Sequence, residues 1–204
     1  LIGSDYRQVA PSRLRELSSR TEEIRSALVE LRSQGAIHGA VLVSTCNRVE
    51  AVLHLNTFEG DHAELTRQVF GCRDDFPIRH FDDAATIGHL LELTTGLDSM
   101  VLGEEQILGQ VGRSFQIAED LGLMSRPLHM LRTRLLSTAR ELRRRTGMAN
   151  HSRSVAALAA DEIAKDCRSA IVVGAGETAR LAIEVLRRRG LDEIYVANRT
   201  FAKA

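Results

Sequence analysis

A cysteine at the end of an apolar run is the residue whose surroundings most favour covalent chemistry. Cys46 follows the strand-like segment 41–43, and Arg48 lies two residues beyond it. A nearby guanidinium can favour the thiolate, which is the form of cysteine that attacks electrophiles. The sequence therefore predicts that Cys46 is a nucleophile presented at the end of a strand.

A glycine-rich turn later in the chain is typical of a dinucleotide site. It lies between an apolar run at 170–173 and a helical pattern over 178–189, and a second strand-like run follows at 194–197. The turn consists of Gly174, Ala175, Gly176, Glu177, Thr178 and Ala179. Its first glycine permits a tight turn and its second lets the backbone approach a pyrophosphate, which the amides of the helix N-terminus would hold.

The end of the second strand bears on which cofactor would bind. NAD sites usually carry an acidic residue about 20 residues past the turn, where it binds the ribose 2′-hydroxyl. This chain has Asn198, Arg199 and Thr200 there. Because an arginine with small hydrogen-bonding neighbours suits a 2′-phosphate, we predict NADPH as the cofactor. The alternative is a Rossmann-like half that binds another nucleotide or none.

A nucleophilic cysteine and a hydride donor together predict a two-step reaction. The thiol would capture an acyl group as a thioester, and the cofactor would then reduce it with hydride. The three cysteines of the chain are widely spaced and form no zinc-ligand pattern, so no metal site is expected. Free thiols indicate a reducing compartment, and we expect a cytoplasmic protein.

A second polar cluster lies among glycines and branched apolar residues in the segment 96–112. Ser99 and Glu104 precede a helical pattern, and Gln106 and Gln110 are four residues apart on one face of it. They could line a pocket for a small substrate with an amine and a carboxylate. From spacing alone, the alternative of a helix start with buried caps is favoured. His89, among apolar residues upstream, is on the same grounds more often a satisfied core or surface group than a catalytic one.

The overall composition is that of an ordinary globular protein without net charge. The 204 residues include 27 basic and 27 acidic side chains, so a nucleic-acid partner would need a local basic surface. No apolar run approaches the ~20 residues that cross a bilayer, and no signal peptide is visible. The candidate basic surface is a helical stretch with Arg132, Arg134, Arg140, Arg143, Arg144 and Arg145. Its alternative is a solvated helix face.

Hydrophobic periodicity predicts an α/β chain that would position these residues. A strand tail is expected at 1–3, a helix from Pro11, and a second helix from Thr21 as its N-cap. Further predicted helices cover 61–70, 82–93, 106–121, 128–146 and 155–165, and strands cover 40–43 and 49–55.

A change of composition near 146–150 predicts a domain boundary. We expect an α+β catalytic domain with a helical extension over residues 1–150, and a partial Rossmann-type βαβ unit over residues 151–204. A complete dinucleotide domain has more strands than this unit. We therefore expect the chain to be a fragment of a longer protein, truncated at both ends.

Three blocks of sequence closely resemble the glutamyl-tRNA reductases, the family that carries out the first committed step of five-carbon tetrapyrrole synthesis. The blocks are 44–50, 96–111, and 173–179 followed by 197–200. They occur in the family's order and at similar separations. The segment 5–11 departs from the family's usual His-Arg/Lys-Thr-Ala-Pro motif at Tyr6, Gln8 and Val9.

The resemblance implies a role for each block. Cys46 would attack the ester of glutamyl-tRNA(Glu), and NADPH at the glycine-rich turn would reduce the thioester to glutamate-1-semialdehyde. His89 matches a histidine important for activity. The residues that match the family's substrate-binding positions are Thr45, Asn47, Arg48, Ser99, Glu104, Glu105, Gln106 and Gln110.

The family also implies partners. Full-length relatives form homodimers through a C-terminal domain that is absent from this sequence, and the aminomutase of the next step is a further expected partner. Two other interpretations stay open: a non-catalytic tRNA-binding or regulatory paralogue, and a cysteine-dependent dehydrogenase that acts on a free aldehyde. The second leaves the 96–111 block unexplained.

Overall fold

Helices and strands alternate along the chain in the computed structural model, which describes residues 1–55, 61–71, 77–104, 106–148 and 167–200. The first elements are β1 (Ile2–Asp5), α1 (Pro11–Ser19), α2 (Thr21–Ser33), β2 (Gly39–Ser44), β3 (Arg48–His54), α3 (His62–Phe70) and β4 (Arg79–His80). Three helices follow, α4 (Asp83–Thr95), α5 (Gln106–Asp120) and α6 (Arg126–Arg145). The last are β5 (Ser169–Val173), α7 (Glu177–Arg188) and β6 (Glu193–Ala197).

An antiparallel sheet of four strands, in the order β2-β3-β1-β4, supports the Cys46 turn. Strand β3 lies inside the sheet, where Val43 of β2 and Gly3 of β1 both face Glu50. Only residues 45–47 separate β2 from β3. The sheet therefore fixes both ends of the short segment that carries Cys46.

Helices α1 and α2, both amphipathic, pack against part of this sheet. The predicted apolar stripe of α2, Ile24, Leu28 and Leu31, is buried as expected. The prediction that Thr21 caps this helix is wrong, because no side chain caps α2 and the Thr21 hydroxyl hydrogen-bonds with the hydroxyl of Ser44 at 2.8 Å. That contact ties the start of α2 to the end of β2, directly before the Cys46 turn.

The last described part of the chain is a βαβ unit. Strands β5 and β6 are parallel, with Ser169 opposite Glu193 and Val173 opposite Ala197, and α7 connects them. Parallel strands joined through a helix are the repeating unit of the Rossmann fold. The predicted fold class, α/β with a partial Rossmann-type unit, is confirmed.

Most predicted elements occur within one to three residues of their expected ends. The exception is β4, a two-residue strand that no periodicity can indicate. The predicted helix at 155–165 lies outside the described residues, as do Cys72, Glu105 and part of the predicted boundary at 146–150. None of the described helices is long and apolar enough to cross a membrane.

Candidate active site

Cys46 is exposed at the surface on the turn between β2 and β3. The turn is held by its own polar groups: the amide of Thr45 donates to the carbonyl of Arg48 at 2.9 Å, and the amide of Asn47 donates to the Thr45 hydroxyl at 3.2 Å. Asn47 also accepts a backbone hydrogen bond from Tyr6, at 3.0 Å. The thiol is thus presented to solvent from a fixed backbone.

The electrostatic surroundings of Cys46 differ from those predicted. Partial burial raises the pKa of the thiol, and the nearby charge of Glu104 raises it further. The expected help from Arg48 is absent among these causes, because its guanidinium binds the carboxylates of Asp98 and Glu50. A free thiolate at neutral pH is therefore disfavoured.

Below the turn lies a group of paired charges that we call the ion ring, comprising Asp5, Arg79, Glu50, Arg48, Asp98 and Arg7. In this order, each residue forms an ion pair with the one that follows it. The ring closes because the Arg7 amide donates to Asp5 Oδ1 at 2.9 Å. Acidic and basic members alternate, so each buried charge has an opposite charge beside it.

His89 adjoins the ion ring through Glu50. Its Nε2 lies 3.1 Å from both carboxylate oxygens of Glu50, and its ring stacks on Phe81 at a centroid distance of 4.6 Å. Because a carboxylate can only accept, Nε2 is the donor in this contact, and Nδ1 lies 3.8 Å from Asp98 Oδ2. Burial alone would raise the pKa of Glu50, but the His89 hydrogen bond and the charges of Arg48 and Arg79 outweigh it and lower that pKa.

The segment from α4 to α5, which we call the 96–104 loop, carries two of the predicted substrate residues. Ser99 and Glu104 are both half-buried on it. Asp98 lies between the end of α4 and Ser99. Arg48 binds it through its carboxylate at 2.9 Å and through its carbonyl at 2.6 Å. Arg48 belongs to the strand that starts two residues after Cys46, so this contact links the loop to the Cys46 turn.

The base of the 96–104 loop is closed where its two ends meet. The amide of Gly103 donates to the carbonyl of Gly96 at 2.9 Å. At Gly96, φ is +86°, and a side chain there would come within 3.0 Å of the backbone of Glu104. Glycine is required because only it adopts this left-handed conformation without strain and leaves room for the crossing chain.

Arg143 binds the closed base from α6. Its guanidinium donates to the carbonyls of Thr95 at 2.7 Å, Gly103 at 3.0 Å and Glu104 at 3.1 Å. Arg143 is therefore unavailable to a phosphate, which corrects the prediction for that member of the basic cluster. The physical reason is helical spacing: Arg143 lies four residues after Ala139, on the buried face of α6.

The other predicted members of the site have simpler surroundings. Gln106 and Gln110 are half-buried on the first turns of α5, and Glu105 lies outside the described residues. Of the remaining cluster on α6, Arg132 pairs with Glu119 and Arg144 with Glu141. Arg134, Arg140 and Arg145 are exposed.

The glycine-rich turn joins β5 to α7 as predicted. Gly174 has φ +110°, and its amide donates to the carbonyl of Ala197 at 2.7 Å, which holds the turn against the end of β6. Gly176 precedes α7, and no side-chain hydrogen bond caps that helix start. The first amides of α7 can therefore bind an anion. At the end of β6, Asn198 donates to the Thr200 carbonyl at 2.7 Å, and Arg199 is exposed.

A cleft of about 680 Å³ lies at the far end of β3 from Cys46. Its lining includes Val52, His54, His62, Phe81 and Leu131. Neither Cys46 nor the 96–104 loop borders it. Its size alone therefore does not make it the candidate active site, which the chemistry of the side chains places at the Cys46 turn.

Comparison with known proteins agrees with the blocks identified in the sequence. A family model described as glutamyl-tRNAGlu reductase, N-terminal domain, matches residues 2–146. The chain belongs to the glutamyl-tRNA reductase family. A second family model, shikimate/quinate 5-dehydrogenase, matches residues 157–204, which include the βαβ unit.

Individual glutamyl-tRNA reductases are similar over nearly the whole chain. The protein from Salinispora tropica is 34% identical over 217 aligned residues, which cover 100% of this chain and 48% of its own. The Xylella fastidiosa protein is 36% identical, covering 97% of this chain and 46% of its own. The solved structure of the Methanopyrus kandleri enzyme matches with a TM-score of 0.64 and 26% identity, over 100% of this chain and 50% of that one. The chain thus spans about half the length of these relatives.

Within this member of the glutamyl-tRNA reductase family, sequence reasoning missed the residues that hold the ion ring and the 96–104 loop together. Glu50, Asp98 and Arg143 were not predicted to have a role at the site, although each contacts a predicted site residue or its loop. Their polar character within apolar or basic patterns was a signal. This signal did not predict a role at the site, because hydrophobic periodicity alone assigns an isolated charged residue to the solvent-facing side.

Proposed function

We propose that the full-length protein reduces glutamyl-tRNA(Glu) to glutamate-1-semialdehyde with NADPH, through a thioester on Cys46. This reaction would be the first step of tetrapyrrole synthesis. Family membership supports the substrate class. The observation that carries the proposal is the exposed thiol of Cys46 on its fixed turn, within the electrostatic reach of Glu104.

The proposed acyl transfer balances without ATP because an aminoacyl ester is already activated. Cys46 Sγ attacks the ester carbonyl carbon, the carbon–sulfur bond forms, and the carbon–oxygen bond to the tRNA ribose breaks. The ribose oxygen takes up a proton as tRNA leaves. Because the folded site raises the pKa of the thiol, the ammonium of the aminoacyl group, on binding near Glu104, would offset that carboxylate and favour the thiolate.

The remaining predicted residues would orient the substrate. Thr45 and Asn47 shape the turn, and Ser99 and Glu104 lie on the loop tied to it. We propose that Gln106 and Gln110 extend this surface along α5. Arg48 is buried and its guanidinium binds Asp98 and Glu50, so its proposed role is to orient Asp98 and with it the loop rather than to bind the substrate carboxylate directly. His89, with Nε2 held by Glu50, would offer Nδ1 for proton transfer.

We propose that the second half-reaction uses the βαβ unit. NADPH would lie with its pyrophosphate at the start of α7 and its 2′-phosphate near Arg199. When bound, it supplies the hydride that adds to the thioester carbonyl; the carbon–sulfur bond then breaks, releasing the aldehyde and the Cys46 thiolate. This unit would belong to a domain that starts near residue 151.

We also propose a setting for the full-length protein. It would be cytoplasmic, would form a homodimer through a region beyond residue 204, and would pass its product to an aminomutase. The exposed arginines of α6, Arg134, Arg140 and Arg145, are positioned to contact tRNA phosphates.

Trapping of the acyl-enzyme tests the proposed function. Full-length protein is mixed with tRNA charged with radiolabelled glutamate, and the protein is separated under acidic denaturing conditions. We expect label on the protein without NADPH, and labelled aldehyde in place of it with NADPH. A protein that binds the tRNA but never acquires label would be the non-catalytic paralogue.

Replacement of Arg199 by aspartate tests the choice of cofactor. We expect Arg199→Asp to weaken NADPH binding by about tenfold or more while NADH binding changes little, because only NADPH carries the 2′-phosphate. Dissociation constants from nicotinamide fluorescence measure both. Arg187→Asp, the same charge change on an exposed residue near the end of α7, is the control. Equal losses for the two cofactors would contradict a 2′-phosphate contact.

A further inference from the structure

Arg143 is a buried cation whose described partners are all carbonyl oxygens. Only 3% of the residue is exposed, and its guanidinium donates to Thr95, Gly103 and Glu104 at 2.7 to 3.1 Å. Burying a charge is costly unless hydrogen bonds replace the lost water. An apolar side chain at this point of the α6 face would avoid that cost, so the position of the guanidinium calls for an explanation beyond packing.

The three carbonyls lie on both ends of one loop. Thr95 is the last residue of α4, where carbonyls lack partners within the helix and favour a cation. Gly103 and Glu104 close the other end of the 96–104 loop. The planar fork of arginine reaches all three at once, which a point-like ammonium does less well. Arg143 thus joins the loop ends to each other and to α6.

The loop so fixed contains one charged side chain that acts on the thiol. Glu104, whose carbonyl Arg143 binds, is near enough for its charge to act on Cys46. The middle of the loop is held separately, by Arg48 and Arg7 on Asp98. Because Asp98 is already bound to the sheet by Arg48, the contacts of Arg143 at the two loop ends determine where Glu104 lies.

We infer that Arg143 is a positioning residue for acyl transfer, which acts by clamping the two ends of the 96–104 loop so that Glu104 stays near Cys46. The inference rests on the proposed function. It assigns to a residue of the basic helix a part in the first chemical step without any contact to substrate.

The test compares Arg143→Met and Arg143→Lys with Arg144→Met in the full-length protein. Arg144 is the adjacent residue, with 74% of its side chain exposed, and pairs with Glu141 on its own helix. We expect Arg143→Met to lower the single-turnover rate of Cys46 labelling at saturating glutamyl-tRNA on the order of 100-fold, as misplacement by about 1 Å does. The concentration of glutamyl-tRNA that gives half the maximal rate should change little. Arg143→Lys should recover part of the rate, and Arg144→Met should label at the wild-type rate.

A second measurement separates loop position from general damage. Circular dichroism and thermal unfolding establish which variants fold, and iodoacetamide alkylation of Cys46 across pH reports its surroundings without substrate. We expect the profile of folded Arg143→Met to move to lower pH, because the charge of Glu104, which raises the pKa of the thiol, moves away from it. If Arg143→Met does not fold, the labelling rate and the alkylation profile are measured on Arg143→Lys instead.

Two outcomes would overturn the inference. One is a folded Arg143→Met, or Arg143→Lys in its place, with both labelling rate and alkylation profile equal to the wild type. The other is a loss of labelling with an unchanged alkylation profile, which would place Arg143 elsewhere in the reaction. Failure of the wild type to acquire label refutes the proposed function instead, while the alkylation profiles still test whether Arg143 sets the loop.

Discussion

Cys46→Ser is expected to abolish label transfer from glutamyl-tRNA to the protein, lowering its rate by on the order of 1,000-fold or more. A serine hydroxyl at this position is exposed on the same turn but ionises far less readily than a thiol. Oxygen is also the poorer nucleophile toward an ester, so no acyl-enzyme should accumulate. Acid-quenched single-turnover reactions, with mass spectrometry of the labelled peptide, measure the effect and locate the adduct.

Cys167→Ser is the matched control, because Cys167 is also free and exposed but precedes β5 in the βαβ unit. It should acquire label at the wild-type rate. Binding of glutamyl-tRNA should survive in Cys46→Ser, since the thiol contributes little to the affinity of a molecule the size of tRNA. Full reductase activity in Cys46→Ser would refute the thioester mechanism.

Glu50→Gln is expected to reduce the free energy of unfolding by about 3–5 kcal/mol, the usual cost of breaking a buried ion pair on one side. The carboxylate, from a residue only 1% exposed, accepts from Arg48, Arg79 and His89. Glutamine keeps the shape but leaves the ring with an excess positive charge. Urea unfolding of the full-length protein, followed by circular dichroism, measures the loss.

Glu141→Gln is the control for this substitution, because Glu141 forms only an exposed pair with Arg144 along α6. Exposed pairs of this kind contribute little to stability. A Glu50→Gln protein as stable as Glu141→Gln would show that the ion ring contributes no net stability.

The same carboxyls make the stability depend on pH with a definite sign. Burial would raise the pKa of Asp98, but hydrogen bonds from Arg7 and Arg48 and their charges outweigh it and lower the pKa, as the partners of Glu50 do for Glu50. A folded-state pKa below the unfolded value stabilises the protein above that unfolded value, near 4, and the stabilisation is lost as pH falls through the folded pKa. Between pH 5 and pH 3, the wild type should therefore lose more stability than Glu50→Gln.

The sequence predicted well where Cys46 lies in the fold, because local signals determine it. An apolar run that stops before Cys46 indicates a strand end, and the α2 stripe and the βαβ unit follow from periodicity and glycine placement alone. These features depend on neighbours along the chain. They needed no knowledge of what packs across the sheet.

The environment of Cys46 was not predictable in the same way. In the sequence, Glu50 lies between the apolar residues Val49 and Ala51, an alternation typical of a strand whose charged side faces solvent. In the structure that side is buried, and Glu50 accepts hydrogen bonds there from Arg48, Arg79 and His89. Likewise, Arg48 lies two residues from Cys46 in the sequence, but its guanidinium binds the carboxylate of Asp98, 50 residues later in the chain. Long-range pairing of charges decides both cases, and a single sequence contains no direct record of it.

The ion ring constrains how this chain can evolve. A change at any one member removes an ion-pair partner from the residue or residues beside it, in a site where most members are buried. We therefore expect the six positions to vary among relatives in compensating sets, with the loss of an acid accompanied by the loss of a base. Arg7 is the member best able to vary alone, because its side chain is 46% exposed and water can replace its partner.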